Sequence, residues 1–182
     1  ALGSASRVID NKSVTMTMAK LNMNSNETKE YGYEHPVIEE QKNKSVFTMS
    51  LKDSIYANCY HYRDLMTVCN LDGSLRYNVY GPEWLNNKDN KNSYFSRVEI
   101  IQNNIIAAYI GDVGLVKDEK GRPTGNLPTK LLVFDMNGKY KKTVETEHKI
   151  MDICVDEENN RVIFFFADKD NPLGYLNLYL IK

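Results

Sequence analysis

The densest cluster of residues that could do chemistry is His61-Tyr62-Arg63-Asp64, which lies between two apolar runs. A histidine and a carboxylate this close together could act as an acid/base pair, and the arginine could bind an anion. The same run is also typical of a solvated loop between two strands, and this is the interpretation that the sequence favours. We therefore treat His61, Arg63 and Asp64 as candidate ligand contacts and assign no catalytic residue.

A second candidate site is the long segment 111–129, which contains four glycines and two prolines. This composition predicts a loop. Loops on a rigid β scaffold often carry ligand contacts. The side chains that could engage a carboxylate, a phosphate or a sugar at this segment are Tyr109, Asp112, Lys117 and Arg122. The alternative is a disordered surface insertion.

Metal and cofactor signatures are missing from the sequence. His35, His61 and His148 are far apart and show no HxH or HExxH spacing, so a shared metal is not expected. We expect His35 and His148 at the surface. The run 168–171 (DKDN) offers oxygen ligands for Ca²⁺, but it lacks the central glycine and distal glutamate of an EF-hand loop, which favours a surface turn. The sequence predicts no metal and no cofactor.

Composition excludes several classes of partner. The 182 residues are 42% hydrophobic and 26% charged, as in an ordinary globular protein. The net charge is −1 and no basic stripe accompanies the aromatic residues, so we expect no nucleic-acid partner. No apolar run reaches the roughly 18 residues of a membrane span, so no transmembrane segment is expected.

The cysteine pattern gives no zinc framework, because three cysteines are present and none forms a CxxC pair. Cys59 and Cys69 could face each other across a hairpin. A bridge between directly opposed strand residues needs special geometry, however. The expected role of these two residues and of Cys154 is that of small, buried strand residues.

The elements that must position these side chains are strands, because short polar pairs divide the chain into strand-length apolar runs. One class of pair recurs at Asn11-Lys12, Lys52-Asp53, Asn103-Asn104 and Asn159-Asn160. A second class consists of Asp72-Gly73 and Asn137-Gly138. Both dipeptides adopt φ > 0 at little cost, which makes them strong hairpin signals.

These turns define a repeat of strand, tight turn, strand, loop, strand, Asx-Gly turn and strand. A period of about 40–50 residues with four strands is typical of a propeller blade. Full units are predicted over about 45–80 and 96–145, a three-stranded unit from 150 onwards, and two or three strands within 7–33. The predicted fold is all-β, a β-propeller-like array of four-stranded antiparallel blades, with near fourteen strands and about three to four blades.

An array of this size raises the question of closure, because a terminal blade without a neighbour would expose apolar runs such as 162–166 (VIFFF) at roughly 25 cal/mol per Å². The N-terminal strands could complete the last blade and close a small ring, or two chains could associate. The interpretation we favour is that residues 1–182 are the C-terminal portion of a larger propeller rather than a complete single domain. The remaining blades or a second chain would then close it.

Three segments resemble the TolB-like six-bladed β-propeller family of bacterial envelope proteins: 130–140 (KLLVFDMNGKY), 66–73 (MTVCNLDG) and 175–182 (YLNLYLIK). The resemblance covers about 31–182, and the chain is too short for six blades. It implies a periplasmic or outer-membrane-associated protein, often a lipoprotein, with no catalytic residues to carry over.

Three functions are compatible with these patterns. The leading hypothesis is a non-catalytic binding or scaffold propeller of the bacterial cell envelope, with a protein or glycan ligand. The rival is a propeller enzyme, a hydrolase or lyase of a glycan or small ester, whose site lies at the central channel with His61, Arg63 and Asp64 at its mouth. The third is a structural half-propeller that assembles with another chain.

Overall fold

A computed structural model of the chain describes residues 2–10, 13–36, 38, 44–85 and 91–181. These residues form β-strands and one short 3₁₀ helix, which confirms the all-β class. The strands are β1 (Leu2–Asp10), β2 (Ser13–Leu21), β3 (Thr28–Glu30), β4 (Ser45–Ser50), β5 (Ile55–Tyr60), β6 (Leu65–Asn70), β7 (Leu75–Tyr80), β8 (Asn92–Ile101), β9 (Asn104–Val113), β10 (Leu115–Lys117), β11 (Pro123–Gly125), β12 (Lys130–Asp135), β13 (Tyr140–Glu145), β14 (Ile150–Asp156), β15 (Arg161–Phe166) and β16 (Leu173–Asn177), and the helix is Leu178–Ile181.

Fourteen of these strands form four antiparallel sheets, here called blades, as the repeat predicted. Blade 1 has the order β1-β2-β3, blade 2 β4-β5-β6-β7, blade 3 β8-β9-β12-β13 and blade 4 β14-β15-β16. The first strands of consecutive blades lie side by side, since β8 contacts both β4 and β14. The chain is thus a propeller-like array of blades.

The boundary of blade 3 differs from the prediction. Its first strand begins at Asn92 rather than at residue 96, because Asn92 and Ser93 pair with Val113 and Asp112 of β9. The hairpin therefore extends into the segment predicted to be a loop. The rest of that segment also contains β-structure, since β10 and β11 form a small hairpin.

The Asx-Gly turns confirm the repeat at the level of single hydrogen bonds. Gly73 and Gly138 have φ values of 92° and 79°. Each amide donates to the carbonyl three residues earlier, Gly73 to Asn70 at 2.9 Å and Gly138 to Asp135 at 3.0 Å. In the other class of turn, Asn103 and Asn160 also have positive φ, at 60° and 52°. The pair Asn11-Lys12 lies outside the described residues.

The core consists of the layers between blades. In β9, Ile105 and Ala107 pack in the cluster shared with blade 2, whereas Ile106 and Ala108 pack in the cluster shared with blade 4. This follows from the alternation of side chains along a strand. A third layer joins blade 1 to blade 2. Blade 3 is thus buried on both faces.

Blade 4 is covered on one face only. Val162 and Phe164 are buried towards blade 3, but Phe165, Leu173 and Tyr175 on the other face are 45%, 70% and 64% exposed. The register places these three residues on one side of the sheet, since Phe165 pairs with Leu173 and Tyr175 pairs with Ile163. The exposed apolar face matches the sequence-based expectation for a terminal blade.

The three cysteines are free, and only two are buried. Cys59 pairs with Met66 and packs towards blade 3, whereas Cys69 pairs with Tyr56 and packs towards blade 1. The two thiols therefore lie on opposite faces of blade 2. The expectation that Cys154 is buried was wrong, because this residue lies on the exposed face of blade 4.

Blade 2 meets the segment that follows blade 1 at a close approach of two glycines. A Cβ placed on Gly73 would lie 2.9 Å from the Cα of Gly32, which is backbone and cannot rotate away. Gly121 also has positive φ, at 74°, but a Cβ there would meet nothing within 4 Å. An alanine at either position would have to adopt a left-handed backbone, but only an alanine at position 73 would also clash. Comparing the two substitutions therefore isolates the cost of the clash.

We predict that Gly73→Ala destabilises the fold by about 1–3 kcal/mol more than Gly121→Ala, because overpacking adds to the ~1–2 kcal/mol of the left-handed backbone. Urea unfolding of the two variants, followed by tryptophan fluorescence, measures the difference. Equal losses in the two variants would contradict the close approach.

Candidate functional site

The predicted site residues lie at one end of the blades, here called the crossing end, where β5 connects to β6, β9 to β12 and β15 to β16. Each crossing segment is hydrogen-bonded to a neighbouring connection or strand. The amide of Tyr94 donates to the carbonyl of His61 at 2.8 Å, that of Gly114 to Lys91 at 2.8 Å, and that of Ala167 to Lys149 at 2.8 Å. The first of these bonds joins blade 3 to blade 2, and the other two fix crossing segments within blades 3 and 4.

His61 joins blade 2 to the start of β8 through both ring nitrogens. Its Nδ1 lies 2.9 Å from the carbonyl oxygen of Phe95, which can only accept, so Nδ1 carries the proton. In the neutral ring Nε2 then accepts from the hydroxyl of Ser93, 3.2 Å away. Burial lowers the pKa of His61 and thus favours this neutral form.

Asp64 is buried, and its carboxylate is held from two sides. Oδ1 accepts from the hydroxyl of Tyr109 at 3.1 Å, and Oδ2 accepts from the amide of Glu83 at 3.0 Å. A Cβ on Gly81 would lie 2.1 Å from this carboxyl group, so the glycine leaves the space that Asp64 occupies. Burial raises the pKa of Asp64, while the two hydrogen bonds oppose that rise.

The interpretation of residues 61–64 as a solvated loop was wrong. Asp64 is 1% exposed and Arg63 is 7% exposed, and only Tyr62 is largely accessible. The reason is that the turn from β5 to β6 lies against β8 and β9 of the next blade and is covered by residues 81–83. Asp64 and Tyr109, which were predicted in different segments, form a hydrogen bond between blades 2 and 3. His61 joins the same two blades through Ser93 and the carbonyl of Phe95 instead. These contacts are together called the polar cluster.

The three residues predicted in segment 111–129 lie outside this cluster. Asp112 accepts a hydrogen bond from the next amide, that of Val113, at 2.6 Å. Lys117 is exposed in β10. Arg122 forms an ion pair with Asp118 at 2.7 Å and is 70% exposed. The segment therefore carries an ordered hairpin, and the sequence-based prediction of a plain loop was wrong.

The remaining polar candidates have structural partners. His35 was expected at the surface, but it is buried, with Nε2 3.0 Å from the hydroxyl of Tyr80. His148 is 41% exposed and lies 3.1 Å from Asp168. Asp168 also accepts from the amides of Asp170 and Asn171 at 2.9 and 3.2 Å, as in a surface turn. Across the described ranges, no three His, Cys, Asp or Glu side chains are grouped as a metal site requires.

The sequence reasoning missed Ser93, which is 2% exposed yet contacts His61. It also missed polar residues on the first strands of the blades. Thr48 of β4 donates to Glu99 of β8 at 3.2 Å, and Arg97 of β8 pairs with Asp152 of β14 at 2.6 Å. A cross-blade contact leaves no mark in local sequence, although the polar residues of β8 alternate with buried ones.

Comparisons with known proteins leave the family open. No family model matches the chain, and no curated protein matches it with significance. Among solved structures, a crystal structure of the eukaryotic initiation factor is similar, with a TM-score of 0.44 and 10% identity over 97% of this chain. This chain spans only 39% of that structure's length. A likeness at this level carries no argument about function.

Fold and site together define an all-β protein with propeller-like blades and an internal polar cluster between two of them. Within the described ranges, the structure contains no helix whose length and apolar character would let it span a bilayer.

We predict that Tyr109→Phe destabilises the fold by about 1–3 kcal/mol at pH 7, because it leaves Oδ1 of the buried Asp64 carboxylate without its donor. The loss should shrink as the pH falls. Burial raises the pKa of Asp64 in the folded protein above the unfolded value of about 3.9. As the pH falls below the folded pKa, Asp64 becomes protonated and its burial no longer carries the cost of a charge. The missing donor then matters less. Urea unfolding at a series of pH values measures this dependence.

The matched control is Tyr140→Phe, because Tyr140 is 52% exposed and its hydroxyl contacts only Thr143, at 2.9 Å, among the described residues. This variant should change stability by less than about 0.5 kcal/mol at every pH. A loss in Tyr109→Phe that is the same at pH 7 and pH 4 would show that Asp64 is not its partner.

Proposed function

We propose that this chain is a non-catalytic binding or scaffold unit of a β-propeller in the bacterial cell envelope, and that it engages a protein or glycan at the crossing end. The observation that carries the proposal is the ordered hairpin β10–β11, which presents exposed apolar and basic side chains. A connection of this kind on a rigid β scaffold is where binding contacts are usually placed.

The anchoring of the hairpin supports a docking role. The amide of Asn126 donates to the carbonyl of Gly114 at 2.9 Å, and its side chain donates to the carbonyl of Val113 at 3.0 Å. The amide of Gly114 is bonded in turn to Lys91. Because the base of the hairpin is held in this way, less conformational entropy is lost when a partner binds.

The base and first strand of the hairpin offer a small mixed surface. Leu115 is 72% exposed and Val113 is 42% exposed, and Lys117 is exposed beside them. Arg122 is already paired with Asp118 and contributes less free charge. A partner with an apolar patch and a carboxylate would match this surface.

The non-catalytic part of the proposal is supported by the hydrogen bonds that already occupy the predicted acid/base pair, His61 and Asp64. Both oxygens of Asp64 accept hydrogen bonds from within the protein, and both nitrogens of His61 have partners. A general base must instead reach a proton on the substrate. The cluster is better suited to hold two blades together than to react.

The envelope location is the part of the proposal that rests on the TolB-like resemblance of segments 66–73, 130–140 and 175–182. The blade pattern of the fold is compatible with it. Fractionation of a Gram-negative host that expresses the full-length gene tests the location, which recovery in the cytosol alone would exclude.

We predict that Leu115→Asp weakens partner binding by about tenfold, because it places a charge at an apolar contact worth roughly 1.4 kcal/mol. The measurement is retention of envelope proteins and of arrayed bacterial glycans on the immobilised chain. Met23→Asp is the control, since Met23 is 68% exposed and belongs to the connection between β2 and β3 of blade 1. Partners retained equally by both variants would exclude the hairpin as the site.

An enzyme that acts on a glycan or small ester is a second candidate, favoured by one observation. Ser93, His61 and the carbonyl of Phe95 have the order of a nucleophile, a base and a group that orients the base. Ser93 is nevertheless 2% exposed, and a Cβ on Gly114 would lie 2.3 Å from its hydroxyl. We expect a fluorophosphonate probe to leave Ser93 unlabelled, and labelling lost in Ser93→Ala would overturn the non-catalytic proposal.

A structural half-propeller that assembles with another chain is the third candidate. The exposed apolar face of blade 4, formed by Phe165, Leu173 and Tyr175, favours it. A light-scattering mass equal to that of one chain, with a cooperative melt, would count against self-assembly.

A further inference from the structure

The end of the blades opposite the crossing end, here called the turn end, contains a groove with a volume of about 510 Å³. This volume lies in the range of small-ligand sites, roughly 300–1,000 Å³. Turns from three consecutive blades surround it: β4–β5 of blade 2, β8–β9 of blade 3 and β14–β15 of blade 4. The lining residues on which the argument depends are Met49, Leu51, Gln102, Asn103, Glu157 and Asn160.

The walls of the groove are held in place by contacts within and between blades. The side-chain amide of Gln102 in blade 3 donates to Oδ1 of Asn160 in blade 4. Asp53 accepts from the hydroxyl of Ser50 at 2.6 Å, which fixes the turn of blade 2. Gln102 and Asn103 both have positive φ, at 46° and 60°, so their turn is tight. The groove is therefore formed before any ligand arrives.

The lining combines aliphatic side chains with amides. Met49 and Leu51, which are 38% and 76% exposed, give apolar contacts, while Gln102, Asn103 and Asn160 carry both donors and acceptors. Ile100 and Ile101 also line the groove, but they are buried in the layers between blades and offer little surface. Amide groups of this kind can pair with the alternating N–H and C=O groups of an extended peptide. None of the described lining residues is aromatic, so a sugar ring would find no face on which to stack.

The charges of the groove indicate the sign of the ligand. The lining contains two carboxylates, Asp53 and Glu157, and one ammonium group, Lys52, so negative charge is in excess. Glu157 is exposed, and its side chain makes no hydrogen bond or ion pair within the part of the chain that the structure describes. It is the carboxylate most available to a cationic side chain.

We propose that the turn-end groove binds an extended segment of a partner polypeptide that carries aliphatic and basic side chains. The aliphatic side chains would lie against Met49 and Leu51, the backbone would pair with the amides, and a lysine or arginine would reach Glu157. This site is separate from the hairpin at the crossing end. It stands or fails independently of the function proposed above.

The test uses the full 182-residue chain and a phage library of random seven-residue peptides. Enriched peptides are synthesised with a fluorescent label, and their affinity is measured by anisotropy in about 0.15 M salt, where long-range charge effects are screened beyond ~8 Å. We expect enrichment of peptides with aliphatic and basic residues. Glu157→Lys should weaken their binding about tenfold or more, because it replaces an attraction by a repulsion.

The matched control is Glu158→Lys, the same charge change at the next exposed residue of the same turn, which does not line the groove. It should change affinity less than about threefold. Thermal melts of both variants establish that they fold. Hydrogen exchange should show protection of residues 50–53 and 101–103 when the peptide is bound.

Three results would overturn the proposal: no enriched peptide, equal weakening in the Glu157 and Glu158 variants, or protection at residues 113–125 instead. The last of these would support docking at the hairpin while excluding the groove. The two sites are thus distinguished in one experiment.

Discussion

The burial of both faces of each interior sheet is the constraint on which the rest of the structure depends. Along β5 every residue is buried, with Ile55 and Ala57 packed towards blade 3 and Tyr56 towards blade 1. Such a strand can exist in water only between two neighbours, since exposing it would cost roughly 25 cal/mol per Å² of apolar surface. Sequence, register and neighbour contacts are all set by this requirement.

The polar cluster at the crossing end follows from the same requirement. Where β5 turns into β6, the chain must leave one layer and remain packed against the next blade. Asp64 is buried there, and burial without partners would be costly. Tyr109 from β9 and the amide of Glu83 supply those partners. The residues that looked most reactive in the sequence therefore serve the packing of the blades.

The turns could be read from the sequence because their signals are local. Asp72-Gly73 and Asn137-Gly138 specify hairpins through the backbone freedom of glycine, whatever lies around them. The hairpin β10–β11 escaped detection, because its strands are three residues each and lie among glycines and prolines. Its pairing depends on contacts within the fold rather than on a strand-length apolar run.

The sequence identified which residues belong to the candidate site, but it did not predict that they are buried. Histidine, aspartate and tyrosine at positions 61, 64 and 109 were all identified, but their burial depends on partners far along the chain. Tyr109 lies 45 residues from Asp64, and Ser93 lies 32 residues from His61. Local patterns carry no information about such pairs. The same reason explains why His35, which contacts Tyr80 45 residues away, was placed wrongly at the surface.

The order of the blades also determines where the molecule yields first. Each layer joins consecutive blades, so the array behaves as a row of units coupled to their nearest neighbours. Blade 3 loses two interfaces if it opens, whereas blade 4 loses one. Local opening should accordingly begin at an end of the row and leave the middle intact. Both the hairpin and the central turn of the groove are attached to blade 3, so both are carried by a unit that is held on two faces.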